Sequence, residues 1–283
     1  MIVDIFIPAI VVLMMLIVGT GVQAREFRII LRSSGVLIGS TFSQILLLPL
    51  GAVIMISLLD PPQELAVGLL LVSACPGGAL SNFYCYLGRL NVPLSVMLTA
   101  LSTLLSFAAL PFILELTVPA ARSNSELAIP VLQLMQTLLL FLLLPIGVGM
   151  AMRYFFPGLV ESNAVRMRTL SLFLLVILLL LIVVDQWNTV RDIYMEAALL
   201  TLLFSVFAIS VAWGTGAVLG LEAIDRYVLS VEFSIRNVGA AALVAASTLG
   251  RPEFVAFGAL FVVFQSPLIA LLLYRYRMRR IKA

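Results

Sequence analysis

The chain has 283 residues, 63% of them apolar and 11% charged, with a mean hydropathy of +1.18 and a net charge of +3. Soluble domains run near ~45–50% apolar and ~25% charged, so an ordinary globular enzyme is excluded, and there is room instead for about nine membrane crossings of ~20 residues each. No histidine is present, which removes His-based triads, imidazole relays and His-ligated metals, and the charge is too small to argue for nucleic acid.

The apolar runs, taken in order, predict nine transmembrane helices. The first spans residues 2–22, with Asp4 before it and Arg25, Arg28 and Arg32 after it, the reverse of a signal peptide, so it reads as a retained span. The second, 36–59, ends at Asp60-Pro61-Pro62. The third, 65–87, is interrupted by Cys75-Pro76-Gly77-Gly78. Spans follow at 92–116, 127–152, 170–184 and 193–219. The eighth, 227–249, carries Glu232 and Arg236 inside an apolar run, and the ninth covers 254–273. With the N-terminus outside, 13 of the 17 basic residues fall in cytoplasmic connections and only Arg122, Arg191 and Arg251 outside. This predicts N-out, C-in in the cell membrane, with Tyr274-Arg275-Tyr276-Arg277 as an interfacial anchor rather than a nucleic-acid patch.

Two spans are expected to break. Pro76 removes a helical hydrogen bond ahead of Gly77 and Gly78, and a second interruption runs from Glu232 to Gly239. Taken singly, the first reads equally as a proline kink and the second as a self-satisfied Glu232–Arg236 pair at i, i+4. Together they lie in oppositely directed spans, as an inverted repeat would place them, and discontinuous helices at matching places mark secondary-transporter sites. Ser95 and Thr99 share one face of the fourth span. With Ser81, Asn82 and Glu232 they form a set of hard oxygen donors suited to a small hard cation.

The segments Ala74–Asn82, Leu94–Thr99 and Val231–Asn237 resemble the bile acid:sodium symporter family in order and spacing. The resemblance implies an all-α polytopic membrane protein in nine-helix form, an inverted repeat with two broken crossing helices. It implies a core of roughly 33–116 and 193–275 and a panel of roughly 1–22 and 127–185. It places one Na⁺ on Ser81, Asn82, Ser95, Thr99 and Glu232, with the helix breaks at Pro76, Gly77, Gly78 and Gly239. The family's second sodium site is matched by Gln44 and Glu232. The position four residues after the glutamate, a glutamine in the family, is Arg236 here. A guanidinium donates hydrogen bonds and stays charged. A Na⁺ about 5 Å from it would meet about 3 kcal/mol of repulsion at an effective dielectric of 20. The arginine is therefore expected to replace the second sodium, either pairing with Glu232 or binding substrate, with Asn237 and Gln44 beside it.

The expected function is Na⁺-coupled uptake of a small organic anion by alternating access from within the lipid bilayer, and not an enzymatic one. Thr20, Gly21 and Gln23 are expected on the panel side. The alternatives are a proton- or potential-driven exporter resembling arsenite efflux carriers, using Cys75, or a passive facilitator. The bland reading of Cys75 is a small packing residue.

Overall fold

A backbone inside a bilayer must satisfy its own polar groups, and the apolar runs of this chain do so as helices. The computed structural model of the protein describes residues 2–22, 34–121 and 129–282. Arg25, Arg28, Arg32 and Arg122 of the orientation count, and Gln23, lie outside the described residues.

Among the described residues, and apart from the short 3-10 turns Val118–Ala121 and Pro252–Phe254, eleven helices follow one another: α1 Ile2–Gly21, α2 Ser34–Leu59, α3 Gln63–Ala74, α4 Ala79–Gly88, α5 Val92–Thr117, α6 Val131–Phe155, α7 Pro157–Asp185, α8 Trp187–Val218, α9 Ala223–Ser234, α10 Val238–Thr248 and α11 Val255–Lys282. Six of them (α2, α5, α6, α7, α8 and α11 with the short turn before it) are long and apolar enough to cross a membrane. The stops obey local chemistry. Asp60 takes a left-handed conformation at φ 46° ahead of Pro61-Pro62. The Asn91 side chain caps the start of α5 by accepting from the Leu94 N–H.

The helix α7 begins thirteen residues before the apolar run that starts at Leu170. Pro157 sits at its first turn, where a missing N–H costs nothing, and the helix passes unbroken through Glu161–Thr169. Arg166 and Arg168, expected in a connection, are thus helical. Both α6 and α10 contain a single π turn, at Leu139–Leu143 and Val244–Thr248. Thr137 and Thr248 meet there at 3.1 Å.

Packing depends on small residues that let backbones approach. Along α2 and α8, Gly39 faces Leu219, Ser43 meets Thr215 at 2.6 Å and Gly51 faces Phe207, an antiparallel register. Between α1 and α6 the approach is closest. A methyl group on Gly149 would enter the α1 backbone at Leu16, Gly19 and Thr20. Gly149→Val is therefore expected to destabilise the fold by about 1–3 kcal/mol, as overpacking does. Thermal unfolding in detergent checks it, and an unchanged midpoint would contradict this contact.

Candidate functional site

The expected breaks are present, and they touch. The helix α3 ends at Ala74, and Cys75 to Gly78 run extended before α4 begins. The helix α9 ends at Ser234, with Ile235 extended before α10. The two extended pieces pair antiparallel: the Gly78 N–H donates to the Ile235 carbonyl at 3.2 Å and the Asn237 N–H to the Pro76 carbonyl at 2.9 Å. Each break thus satisfies backbone groups that the other frees, which is how non-helical chain persists among apolar helices.

Glycine is required at this crossing by space. A Cβ on Gly77 would collide with the Glu232 carboxylate, and one on Gly78 would lie 3.0 Å from the Arg236 carbonyl oxygen. The Gly77 N–H donates to Ser102 Oγ at 3.2 Å. Ser102 is a buried partner that the sequence reading passed over, although it stands seven residues after Ser95 on the same helical face.

All five expected oxygen donors converge. Glu232, fully buried, has Ser81 Oγ at 2.6 Å and Ser95 Oγ at 3.2 Å on one carboxylate oxygen, and Thr99 Oγ1 at 2.7 Å on the other. Ser95 Oγ also lies 2.7 Å from Asn82 Oδ1, Thr99 Oγ1 lies 3.5 Å from it, and Ser81 Oγ lies 2.7 Å from the Gly78 carbonyl. Three hydroxyls carry three protons, yet they face six acceptor contacts. The cluster, drawn from α4, α5 and α9, is rich in lone pairs and contains a carboxyl group. That donor set fits a hard cation, because a positive ion satisfies the oxygens that the three protons cannot.

Arg236 does not pair with Glu232: among the described residues no ion pair joins them. An i, i+4 pair needs a continuous helix, and α9 ends two residues before the arginine. The guanidinium instead reaches the end of α3. It donates to the carbonyls of Ser73 at 3.0 Å and Val72 at 3.4 Å, and to that of Cys75. These are the free carbonyls of a helix C-terminus, where the backbone dipoles favour a cation. One guanidinium nitrogen, Nη1, has no partner among the described residues. Cys75 is engaged through its carbonyl, and its thiol is buried. Gln44 is fully buried on α2, with neither amide atom partnered among the described residues.

Beside the crossing lies a cavity of about 310 Å³. Its apolar walls include Met14, Met15, Leu80, Val96 and Leu175, with Thr20 and Gly21 from α1 as expected. Asn82, Thr99, Arg236, Asn237 and Gly239 line it from the crossing side. Three lining residues, Arg153, Arg168 and Gln265, were not expected.

The sequence profile of the sodium bile acid symporter family matches residues 8–193. The chain belongs to that family. Its core motifs through Thr99 fall inside the match, while the Glu232–Asn237 break falls beyond it. Six helices long and apolar enough to cross, in a family of transporters, make this a multi-pass membrane protein. Among relatives, the probable sodium/metabolite cotransporter BASS1, chloroplastic, of Arabidopsis thaliana is 26% identical over 205 residues, 72% of this chain and 50% of that one. The sodium-dependent transporter YocS of Bacillus subtilis is 33% identical over 138 residues, 49% of this chain and 41% of that one. The human sodium/bile acid cotransporter 4 is 31% identical over 156 residues, 53% of this chain and 35% of that one. The chain thus spans half or less of the length of these relatives.

Proposed function

We propose that this protein is a secondary active transporter that carries a small organic anion inward with one Na⁺. The sodium is held by Ser81, Asn82, Ser95, Thr99 and Glu232, and Arg236 stands where a second sodium would sit. The observation that carries the reading is the excess of oxygen acceptors over protons around Glu232, built at the crossing of two broken helices. Unwound carbonyls at such a crossing coordinate Na⁺ in secondary transporters. Here those at the end of α3 are already occupied by a guanidinium.

Two broken pairs, α3–α4 and α9–α10, each count as one crossing. With the other seven helices this gives nine spans, N-terminus outside and C-terminus cytoplasmic. Spans one to four are echoed by spans six to nine as an inverted repeat, and the core (about 33–116 and 193–275) moves against the panel (about 1–22 and 127–185) to expose the crossing to each side in turn. The cavity lies between them, and its exposed lining residues are Gly21, Ala164 and Arg168. In this orientation they face the cytoplasm, so the conformation is inward-open. On the far side Leu110, Leu138 and Leu142 close over a void of about 10 Å³. Three lining arginines and no lining carboxylate suit an anion.

The test is thermal unfolding of detergent-purified protein across a NaCl series, with ionic strength held by choline chloride. A ligand that binds only the folded form stabilises with the logarithm of its concentration, and the limiting slope counts sites. A one-site slope, abolished in Asn82→Ala, is expected. A two-site slope would refute the role given to Arg236, and no sodium effect would refute sodium coupling.

A further inference from the structure

Two side-chain amide nitrogens that line the cavity have no oxygen partner among the described residues. Gln265 on α11 is 2% exposed, and its Nε2 has no partner among the described residues. Asn237 Nδ2 meets only the sulfur of Met15, at 3.6 Å. Nearby, α4 begins at Ala79 with no side-chain cap from Gly78, and Gly78, Ala79 and Leu80 line the cavity. A buried amide left unpaired is costly, and an oxygen-rich ligand removes that cost. This is the inner, crossing end.

The mouth carries a second set of donors. Arg168 stacks on the Tyr86 ring at 4.6 Å, which occupies the flat face of the guanidinium and leaves its N–H edge free. Arg153 donates to the Thr20 carbonyl at 3.2 Å and lies 3.6 Å from the exposed Glu161 carboxylate, outside the cavity lining. The spacing of the two ends can be read along the helices. At the crossing, Asn237 meets Met15, and Gly239 lies near Val11 and Leu178. At the mouth, Thr20 meets Met167 at 3.9 Å beside Arg168. From Met15, beside Asn237, to Thr20 the rise is about 8 Å at 1.5 Å per residue. Between the ends the walls are mainly apolar, with Ser171 the polar residue on α7.

Resting on the uptake reading above, we propose that the transported anion is a dianion with an apolar middle. One carboxylate is seated by Gln265, Asn237 and the start of α4, and the other by Arg168 and Arg153. An extended chain advances about 1.2 Å per bond, so the separation corresponds to about seven bonds, an α,ω-dicarboxylate of about eight carbons.

The experiment titrates the full chain, in detergent and saturating NaCl, with octanedioate and separately with octanoate, reading the unfolding midpoint. Half-saturation by the dicarboxylate at a concentration at least tenfold lower is expected. In Arg168→Gln combined with Arg153→Gln that ratio should fall toward one. In Arg166→Gln, whose side chain bonds Asn163 rather than lining the cavity, it should hold. In Gln265→Leu both acids should weaken tenfold or more. Equal half-saturation by the two acids overturns the dianion while leaving the sodium-coupled reading intact. A dicarboxylate preference that survives loss of both arginines overturns the assignment of the mouth. Absence of any response to Na⁺ and to both acids overturns the uptake reading itself.

Discussion

Glu232→Gln is expected to leave the protein folded and to remove its response to sodium. The substitution keeps the shape of the side chain and one carbonyl oxygen, while the hydroxyls of Ser81, Ser95 and Thr99 rotate to suit the amide. What disappears is the one formal negative charge in the cluster. Two unit charges 4 Å apart interact by about 4 kcal/mol at an effective dielectric of 20, so sodium affinity should fall about a thousandfold. The stability ordering is a second, independent readout. In sodium-free choline chloride the wild-type protein must either bury the Glu232 carboxylate without its cation or bind a proton there, and both cost stability. The glutamine variant should therefore unfold at the same or a higher temperature than wild type without sodium, and at a lower one in high sodium. Sodium-dependent uptake into proteoliposomes should be lost in parallel. A variant that keeps the sodium-dependent shift would remove Glu232 from the cation site.

Much of this site could be read from residue types alone, because a proline followed by two glycines and a pair of ionisable groups are both rare inside apolar spans. Helix–helix geometry could not. The break at Glu232–Gly239 reads as an i, i+4 ion pair only if the helix continues through it. It stops at Ser234, and the two extended segments pair with each other instead. That pairing joins residues about 160 positions apart, which no local pattern encodes, and it carries Arg236 to the carbonyls at the end of α3. Arg153 and Arg168 were hidden for a different reason. Hydropathy marks only the apolar runs, whereas α6 continues through Arg153 to Phe155 and α7 begins thirteen residues before its run, so side chains counted in a connection are held on helices that line the cavity. Gln265 had a faint signal, an uncharged amide within the apolar run 254–273 just before Ser266 and Pro267. A single amide in such a run more often bonds a neighbouring helix than a ligand.

Arg236→Gln is expected to convert a one-sodium carrier into a two-sodium carrier. The guanidinium now satisfies the carbonyls of Val72, Ser73 and Cys75. Its removal leaves those oxygens without their cation at the C-terminal end of α3, close to the buried Glu232. In sodium-free buffer the variant should lose stability, at about 1.5–3 kcal/mol for each hydrogen bond to a charged group. In high sodium most of that loss should return, because a mobile cation can take the same place, and the limiting slope against log sodium should rise from one site to two. Arg236→Met removes the charge but supplies no ligand oxygen, so it should be destabilised with a smaller recovery. The consequence for transport follows from charge conservation. A resident guanidinium makes the return trip with the empty carrier and contributes nothing per cycle, whereas a second sodium is released and carries one net charge inward. Each such charge is worth about 2.3 kcal/mol per 100 mV, so an inside-negative potential of that size should raise the variant's accumulation ratio about 50-fold relative to wild type for the same substrate. Proteoliposomes with a potassium diffusion potential measure this directly, and equal potential dependence in the two proteins would show that Arg236 does not stand in for a transported ion.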